Sequence, residues 1–308
     1  MPPNIEKYLA PTSMEELHHH LQKMQRPPII LGGGTELLRS LRTHDDSTPS
    51  VWIDLMRIPE LQAVDEDDST IRIGAASTCT QLAQHPSLLE HAQALCQAAQ
   101  QYGSWQLRNR CTLGGLVSRG GGEVDVIPSL FALDATVVCS DGKTERIIDC
   151  EDFFTEADST CLGEKEIVAA VIIPKRPRSS VFLKQQSQGV RSPAKVSVAL
   201  AASFDDRNFN QVRIAVGSVG PSTFRVTAAE GLLEGQPVDY YPLLERAVKE
   251  VRRAARPSTD EVSNARYRKW CVGVLTRKGI RELIRPLLAP FSADENEYNE
   301  GASEERST

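Results

Sequence analysis

The chain has 308 residues, enough for two domains at about 150 residues each, and its 40% apolar content with 20 glycines excludes a disordered, collagen-like or coiled-coil protein. Its formal charge of −6 owes most to residues 292–308, where Asp294, Glu295, Glu297, Glu300, Glu304 and Glu305 face only Arg306. The remainder is therefore nearly neutral, without the positive field of a nucleic-acid binder. No apolar run approaches the ~18–20 residues that span a bilayer, and the opening MPPNIEKYLAP lacks a basic-then-apolar pattern, so the expectation is a cytoplasmic protein with no membrane or nucleic-acid partner.

In chain order, Met14, Leu17, Leu21 and Met24 follow Thr12-Ser13 at helical spacing and predict a capped helix that Pro27-Pro28 ends. Residues 29–31 predict a short strand running into Gly32-Gly33-Gly34-Thr35-Glu36, where glycine gives way to helix formers. A polar loop over 43–50 precedes two alternating strands, one through Val51, Ile53 and Leu55 and one through Ile71, Ile73 and Ala75. Leu88, Leu89, Ala92, Leu95, Cys96 and Ala99 predict a helix over 88–102. Residues 108–125 contain five glycines and read as one long glycine-rich loop, followed by a short helix at 126–133 and strands at 136–139 and 167–173, the last ended by Pro174. The stretch PKRPRSS at 174–180 has linker composition and places a domain boundary near 176–180. Beyond it, 196–204 and 212–219 predict strands and 226–234, 242–255 and 262–287 helices. Leu243, Leu244, Ala247, Val248, Val251 and Ala254 form one stripe, and the whole is a compact α+β unit.

Glycine turns that enter helices present backbone N–H groups at the positive end of a helix dipole and suit a phosphate or diphosphate. Neither segment is Gly-x-Gly-x-x-Gly nor Gly-x-x-x-x-Gly-Lys-Ser/Thr, so Rossmann and P-loop readings fail on spacing. Taken alone, Gly32–Gly34 fits ordinary turn chemistry better than a nucleotide site; the second segment, with so many costly glycines, asks for a further reason. The seven cysteines form no Cys-x-x-Cys pair and no Cys/His ligand spacing, which predicts reduced thiols and neither zinc nor an iron–sulfur cluster in this chain. His18-His19-His20 point in different directions on a helix and predict a solvated face rather than a metal site. Asp65-Glu66-Asp67-Asp68 predicts a polar turn before a strand, and Cys111 a packed thiol. No constellation for nucleophilic catalysis is visible.

A set of collinear motifs carries more. Leu31-Gly-Gly-Gly-Thr-Glu-Leu-Leu38, Trp52-Ile-Asp-Leu-Met-Arg-Ile-Pro-Glu-Leu61, Ile71-Arg-Ile-Gly-Ala-Ala-Ser-Thr78, Arg108-Asn-Arg-Cys-Thr-Leu-Gly-Gly115 and Ala132-Leu-Asp-Ala135 resemble, in order and spacing, the FAD-binding medium subunit of molybdenum hydroxylases, the family of carbon monoxide dehydrogenase and bacterial xanthine dehydrogenases. Glu166-Ile-Val, Phe182-Leu-Lys-Gln, Ile214-Ala-Val-Gly-Ser-Val-Gly-Pro221 and Tyr267-Arg-Lys-Trp270 extend the resemblance to about residue 285. It implies an α+β fold: a two-lobed FAD-binding domain of the vanillyl-alcohol-oxidase and MurB (PCMH) type over 1–178 and a smaller α+β flavoprotein domain over 179–288; the acidic composition beyond it predicts a disordered tail over 289–308.

The same resemblance implies roles for particular residues. Leu31, Gly32, Gly33, Gly34, Thr35 and Glu36 on one side, and Thr112, Leu113, Gly114 and Gly115 on the other, would surround the FAD diphosphate with N–H and hydroxyl donors. Tyr102 would meet the adenine, Asp125 the ADP moiety, Val168 the isoalloxazine and Lys184 its pyrimidine edge, where a cation favours the anionic reduced flavin. The chain also departs from the family pattern. Leu116 stands where an asparagine is usual, and Arg119-Gly-Gly-Gly-Glu-Val-Asp125 replaces an Asn-Ala-Ser-Pro-Ala-Ala-Asp run; Arg119 could supply the lost donors by reaching a phosphate directly. Gln188, Gly189 and Ser192 replace a basic pair and an acid. The implied function is electron transfer through FAD, between a partner [2Fe–2S] subunit that serves a molybdopterin-binding large subunit and NAD or another acceptor. A scaffold subunit with weakened FAD binding and a free-standing flavin oxidoreductase stay open as alternatives.

Overall fold

The computed structural model describes residues 5–39, 50–156, 159–186, 194–261 and 263–288. The expected loop at 43–49, Gln188, Gly189 and Ser192, and the acidic tail at 289–308 lie outside these residues. The first lobe is a three-stranded parallel sheet of β1 (Ile5–Leu9), β2 (Ile29–Leu31) and β3 (Ser50–Asp54), ordered β1-β3-β2. Helix α1 (Met14–Lys23) starts where the sequence predicts, because Ser13 accepts a hydrogen bond from the Glu16 amide. It buries Leu17 and Leu21 against Ile53, Leu55 and Ile58; truncating either leucine to alanine is worth about 2–5 kcal/mol.

The second lobe is a five-stranded antiparallel sheet. It contains β4 (Val64–Glu66), β5 (Thr70–Gly74), β6 (Thr136–Ser140), β7 (Glu145–Asp149) and a later strand, Ile167–Pro174, in the order β4-β5-(167–174)-β6-β7. Asp67 turns the β4–β5 hairpin by accepting from the Ser69 and Thr70 amides, so Asp67 and Asp68 form the expected polar turn, whereas Asp65 and Glu66 of the same acidic run pair as strand residues of β4. Between β5 and β6 come α2 (Cys79–Gln84), α3 (Pro86–His91), α4 (Gln93–Gln101), α5 (Trp105–Arg108), α6 (Leu113–Arg119) and α7 (Val126–Ala132). Two expectations change here. The predicted 88–102 helix is two helices, because Ala92 leaves helical geometry at φ −139°, ψ 45°. The predicted glycine loop at 108–125 contains the seven-residue helix α6, which tertiary contacts hold despite its two glycines.

After β7 the chain runs through α8 (Cys150–Phe153), β8 (Phe154–Glu156) and β9 (Ser159–Thr160) into β10 (Ile167–Pro174), the sheet's central strand. A bulge between Val168 and Ala170 shifts the alternation of β10. Val168, Val171 and Ile173 join the core under the helices, whereas Ile167, Ala169 and Ala170 join the core shared with the first lobe. Both faces are buried, which is why this strand reads as an unbroken apolar run.

The second domain is a four-stranded antiparallel sheet, where the sequence pattern shows only two strands. Its members are β11 (Ser179–Gln186), β12 (Ala194–Asp205), β13 (Asn208–Gly217) and the two-residue β14 (Phe224–Arg225). Helices α9 (Thr227–Leu233), α10 (Tyr241–Ala254) and α11 (Ala265–Ile284) cover one face. Alternation along β12 sends Val196, Val198 and Leu200 toward those helices and Ala199 and Ala201 toward the first domain. The small residues admit α4 and α7 closely enough for the Ala94 amide to donate to Ser180 Oγ at 3.0 Å and the Phe182 amide to Gln97 Oε1 at 2.7 Å.

The segment 175–178 is tied down. Arg176 and Arg178 both reach Asp134 Oδ2, at 2.7 and 2.9 Å, and Arg213 of β13 reaches its Oδ1 at 2.7 Å. Burial alone would raise the Asp134 pKa; the bonds from Arg213 and Arg178 reverse this and hold it below the usual carboxylate range. Among the described residues no helix is long and apolar enough to cross a membrane.

Candidate functional site

A cleft of about 400 Å³, within the range of small-molecule sites, opens between the two lobes of the first domain. Its walls are the β2 end and following turn (30–37), Leu55, Ala75 and Ala76 after β5, residues 111–119 except 113 and 117, and the start of β10 at 166–168. The two glycine segments, far apart in sequence, touch here. An ideal Cβ on Gly32 would lie 2.7 Å from Thr112 Oγ1, and one on Gly33 would lie 1.6 Å from the Arg110 carbonyl oxygen. Glycine is required at 33 because another backbone occupies the side-chain position.

The first turn leaves its donors open. The Leu31 carbonyl accepts from the Leu55 amide at 2.9 Å, Gly34 takes φ +75°, and a helical turn begins as the Leu38 amide donates to Gly34 O at 3.1 Å. The amides of Gly32, Gly33, Gly34, Thr35 and Glu36 donate to no protein acceptor among the described residues. These are the orphan groups of a helix start, lining a cleft.

The second segment differs. Residues Thr78 and Thr112 form an antiparallel bridge, and beside it the Cys79 amide donates to Cys111 O at 2.9 Å. The Leu113 amide donates to Ser77 O at 2.9 Å and the Gly114 amide to Ala75 O at 2.8 Å. The Gly115 amide donates to Thr112 Oγ1 at 3.2 Å, and Leu116 N–H to Thr112 O at 3.0 Å. The expected backbone donors of 113–115 are thus engaged within the protein; the Thr112 hydroxyl hydrogen and the Thr112 amide, which donates to no protein acceptor among the described residues, are the donors left to residues 112–115. A Cβ on Gly114 would lie 2.5 Å from Ala75 Cβ, so this glycine serves close packing of α6 on the end of β5. Gly115 is exposed and lines the cleft.

Of the residues singled out from the sequence, Leu31 to Glu36, Thr112, Gly114, Gly115 and Val168 line the cleft; Tyr102, Leu113, Asp125 and Lys184 do not. Leu113 is in the core. Tyr102 packs behind Cys111, and burial with the neighbouring Cys111 and Glu36 pushes its phenol far up. Cys111 is buried beside Cys79, and this neighbour together with burial raises the Cys79 thiol. The structure brings Asp125 and Lys184 together instead: Lys184 Nζ lies 2.7 Å from Asp125 Oδ2 and donates to Gln101 O at 2.6 Å, with both side chains buried. Burial outweighs the attraction of Lys184 and raises the Asp125 carboxyl. Its Oδ1 is buried without a partner among the described residues, an open acceptor behind the cleft.

Leu116 fills its place with apolar packing at the cleft floor. Arg119 lines the cleft with Nη2 at 2.9 Å from Glu123 and Nε at 3.5 Å from Glu36. Leu55, Ala75, Ala76 and Glu166 are wall residues that the sequence reading did not select. The small-residue run Gly74-Ala75-Ala76-Ser77 directly after a strand was the available signal.

Comparison with known proteins adds a second line of observation. Residues 3–176 match the family model described as FAD binding domain in molybdopterin dehydrogenase, and residues 183–283 match the CO dehydrogenase flavoprotein C-terminal domain. The chain is 31% identical over 265 residues to the nicotinate dehydrogenase FAD-subunit of Eubacterium barkeri, covering 82% of this chain and 89% of that one. It is 25% identical over 285 residues to the carbon monoxide dehydrogenase medium chain of Hydrogenophaga pseudoflava, covering 91% and 97%. A solved structure of carbon monoxide dehydrogenase from that organism superposes with a TM-score of 0.86 at 25% identity, over 92% of this chain and 99% of that one.

Proposed function

This chain belongs to the family of FAD-binding subunits of molybdopterin-dependent dehydrogenases, and from that premise we propose that it carries electrons between a partner iron–sulfur subunit and NAD or another soluble acceptor. A third, molybdopterin-binding chain would oxidise the substrate. FAD, when bound, supplies two-electron chemistry to one partner and one-electron chemistry to the other.

The chain's own residues fit that cofactor. The observation that carries the reading is the contact of two glycine segments around a cleft, with the amides of Gly32 to Glu36 unengaged. In this reading those amides and the Thr112 hydroxyl hold the diphosphate, and Leu55, Leu116 and Val168 exclude water beside the ring system. The second segment fixes the wall rather than donating. Its amides bind Ala75 and Ser77, and its far end is pinned to the second domain by the Ser218 amide on Gly122 O at 2.8 Å. Lys184 and Asp125, paired and buried behind the cleft, position that wall.

The test is recovery of the native assembly. One FAD per copy of this chain, released on denaturation, together with larger chains containing molybdenum and iron, is the expected result. Colourless protein that takes up no added FAD contradicts the reading and leaves a scaffold role.

A further inference from the structure

We propose that Arg119 is the side chain that reads the diphosphate, supplying from the second segment the charge that its engaged amides cannot; this rests on the FAD reading above. Three charged side chains line the cleft among the described residues: Glu36, Glu166 and Arg119. Glu166 is held bidentately by Arg146 at 2.7 and 2.7 Å, outside the question. Arg119 is the single cation of the lining among the described residues, and a diphosphate brings two or more negative charges. A site with free amides on one wall and a guanidinium on the other neutralises them from both sides.

Arg119 is placed for this by the backbone. It is the last residue of α6, and Gly120 and Gly121 follow at φ +67° and +91°, reversing the chain so that Glu123 faces back onto the guanidinium. The result is a chain of alternating charge across the cleft mouth: Arg39 to Glu36 at 2.9 Å, Glu36 to Arg119 at 3.5 Å, Arg119 to Glu123 at 2.9 Å. The longest link is the one a diphosphate would replace. Glu36 belongs to the turn whose amides are open, so an anion seated there repels its carboxylate toward Arg39 and releases the Arg119 Nε edge. Nη1 of Arg119 donates to no protein acceptor among the described residues, so the released Nε–H and the Nη1 hydrogens can each donate to a phosphate oxygen, and a bidentate contact at either edge of the guanidinium also takes the second N–H of Nη2, whose other N–H stays with Glu123. Glu123 keeps hold of Nη2 and competes weakly, as partly exposed pairs do.

The experiment is titration of the deflavinated full chain with FAD and, separately, with ADP, followed by flavin fluorescence and by calorimetry at two salt concentrations. Arg119→Ala raises the Kd for both by roughly 10- to 100-fold, in line with loss of charge-assisted hydrogen bonds, and flattens the salt dependence. Arg119→Lys, a point charge without the fork, gives a smaller loss. Glu123→Gln leaves the guanidinium and removes its competitor, so it lowers the Kd, by up to about fivefold. If Arg119 were only structural, Arg119→Ala and Glu123→Gln would weaken binding alike, and that result overturns the proposal. So does Arg119→Ala binding FAD within twofold of wild type. Wild-type chain that binds no FAD overturns the underlying reading itself and is told apart because no variant need be compared. Should Arg119→Ala fail to fold, the opposite signs expected for Arg119→Lys and Glu123→Gln decide the matter.

Discussion

The two glycine segments look alike in sequence and do different work. In the turn at 32–36 glycine lets backbone approach backbone at Gly33 and leaves a row of amides with no protein acceptor. In the segment at 112–122, glycine lets a helix seat on the end of β5, and the amides of Leu113 and Gly114 are used up by Ser77 and Ala75 in doing so. Glycine richness therefore marks close approach in both, and free donors in one. The difference lies in whether the helix start is capped by neighbouring strands or opens onto space.

Substitutions break this comparison in graded ways. The largest effect is expected from Gly33→Val, whose Cβ meets the Arg110 carbonyl. Separation of the segments costs about 3 kcal/mol or more, seen as a lower denaturation midpoint together with loss of bound FAD. The junction supplies a control away from the cleft. Asp134→Asn keeps the left-handed backbone (φ +49°) but unpairs a cluster of arginines, so stability falls by about 2–4 kcal/mol at neutral pH while FAD affinity in the folded fraction is unchanged. Because the folded carboxyl of Asp134 is depressed, its contribution is complete above the ordinary value of about 3.9 and is lost as pH falls through the lower folded value. The gap between wild type and Asp134→Asn, read from chemical denaturation, therefore closes on that acid side.

Gly114→Ala, crowding Ala75, is expected to cost about 1–3 kcal/mol and to weaken FAD only indirectly; FAD loss equal to that of Gly33→Val would show the two segments to be equivalent, and a greater loss would reverse their roles. Gly115→Ala is the smallest case. Its Cβ would meet only the Thr112 hydroxyl, at 3.0 Å, so stability stays within about 1 kcal/mol while the methyl, standing in the cleft, weakens FAD a few-fold in a direct titration.

Much of the fold is legible in local pattern. The alternation at Ile71 and Ile73, the apolar run of β10 and the α10 stripe all appear as expected. What local pattern misses is held by distant partners. Two glycines near its start hide α6, which forms because Ser77 and Ala75 accept its first amides. The β11 strand is hidden because its face toward the first domain, Ser180, Phe182 and Lys184, is buried yet carries two polar side chains that are satisfied only by Ala94, Asp125 and Gln101 of the first domain, so the apolar alternation is broken. In the cleft, glycine and threonine positions are visible from motif, whereas the pairing of Lys184 with Asp125 depends on the second domain folding back onto the first. Arg119 is legible as a departure, but its carboxylate partners are not.

Amide hydrogen exchange, with and without FAD, tests the central claim most directly. In the FAD-free chain the account predicts fast exchange at Gly32 to Glu36 and protection at Leu113 and Gly114, with FAD then slowing the first set and leaving the second unchanged. Protection that appears on FAD addition at 113–114 while 32–36 stays fast would contradict it.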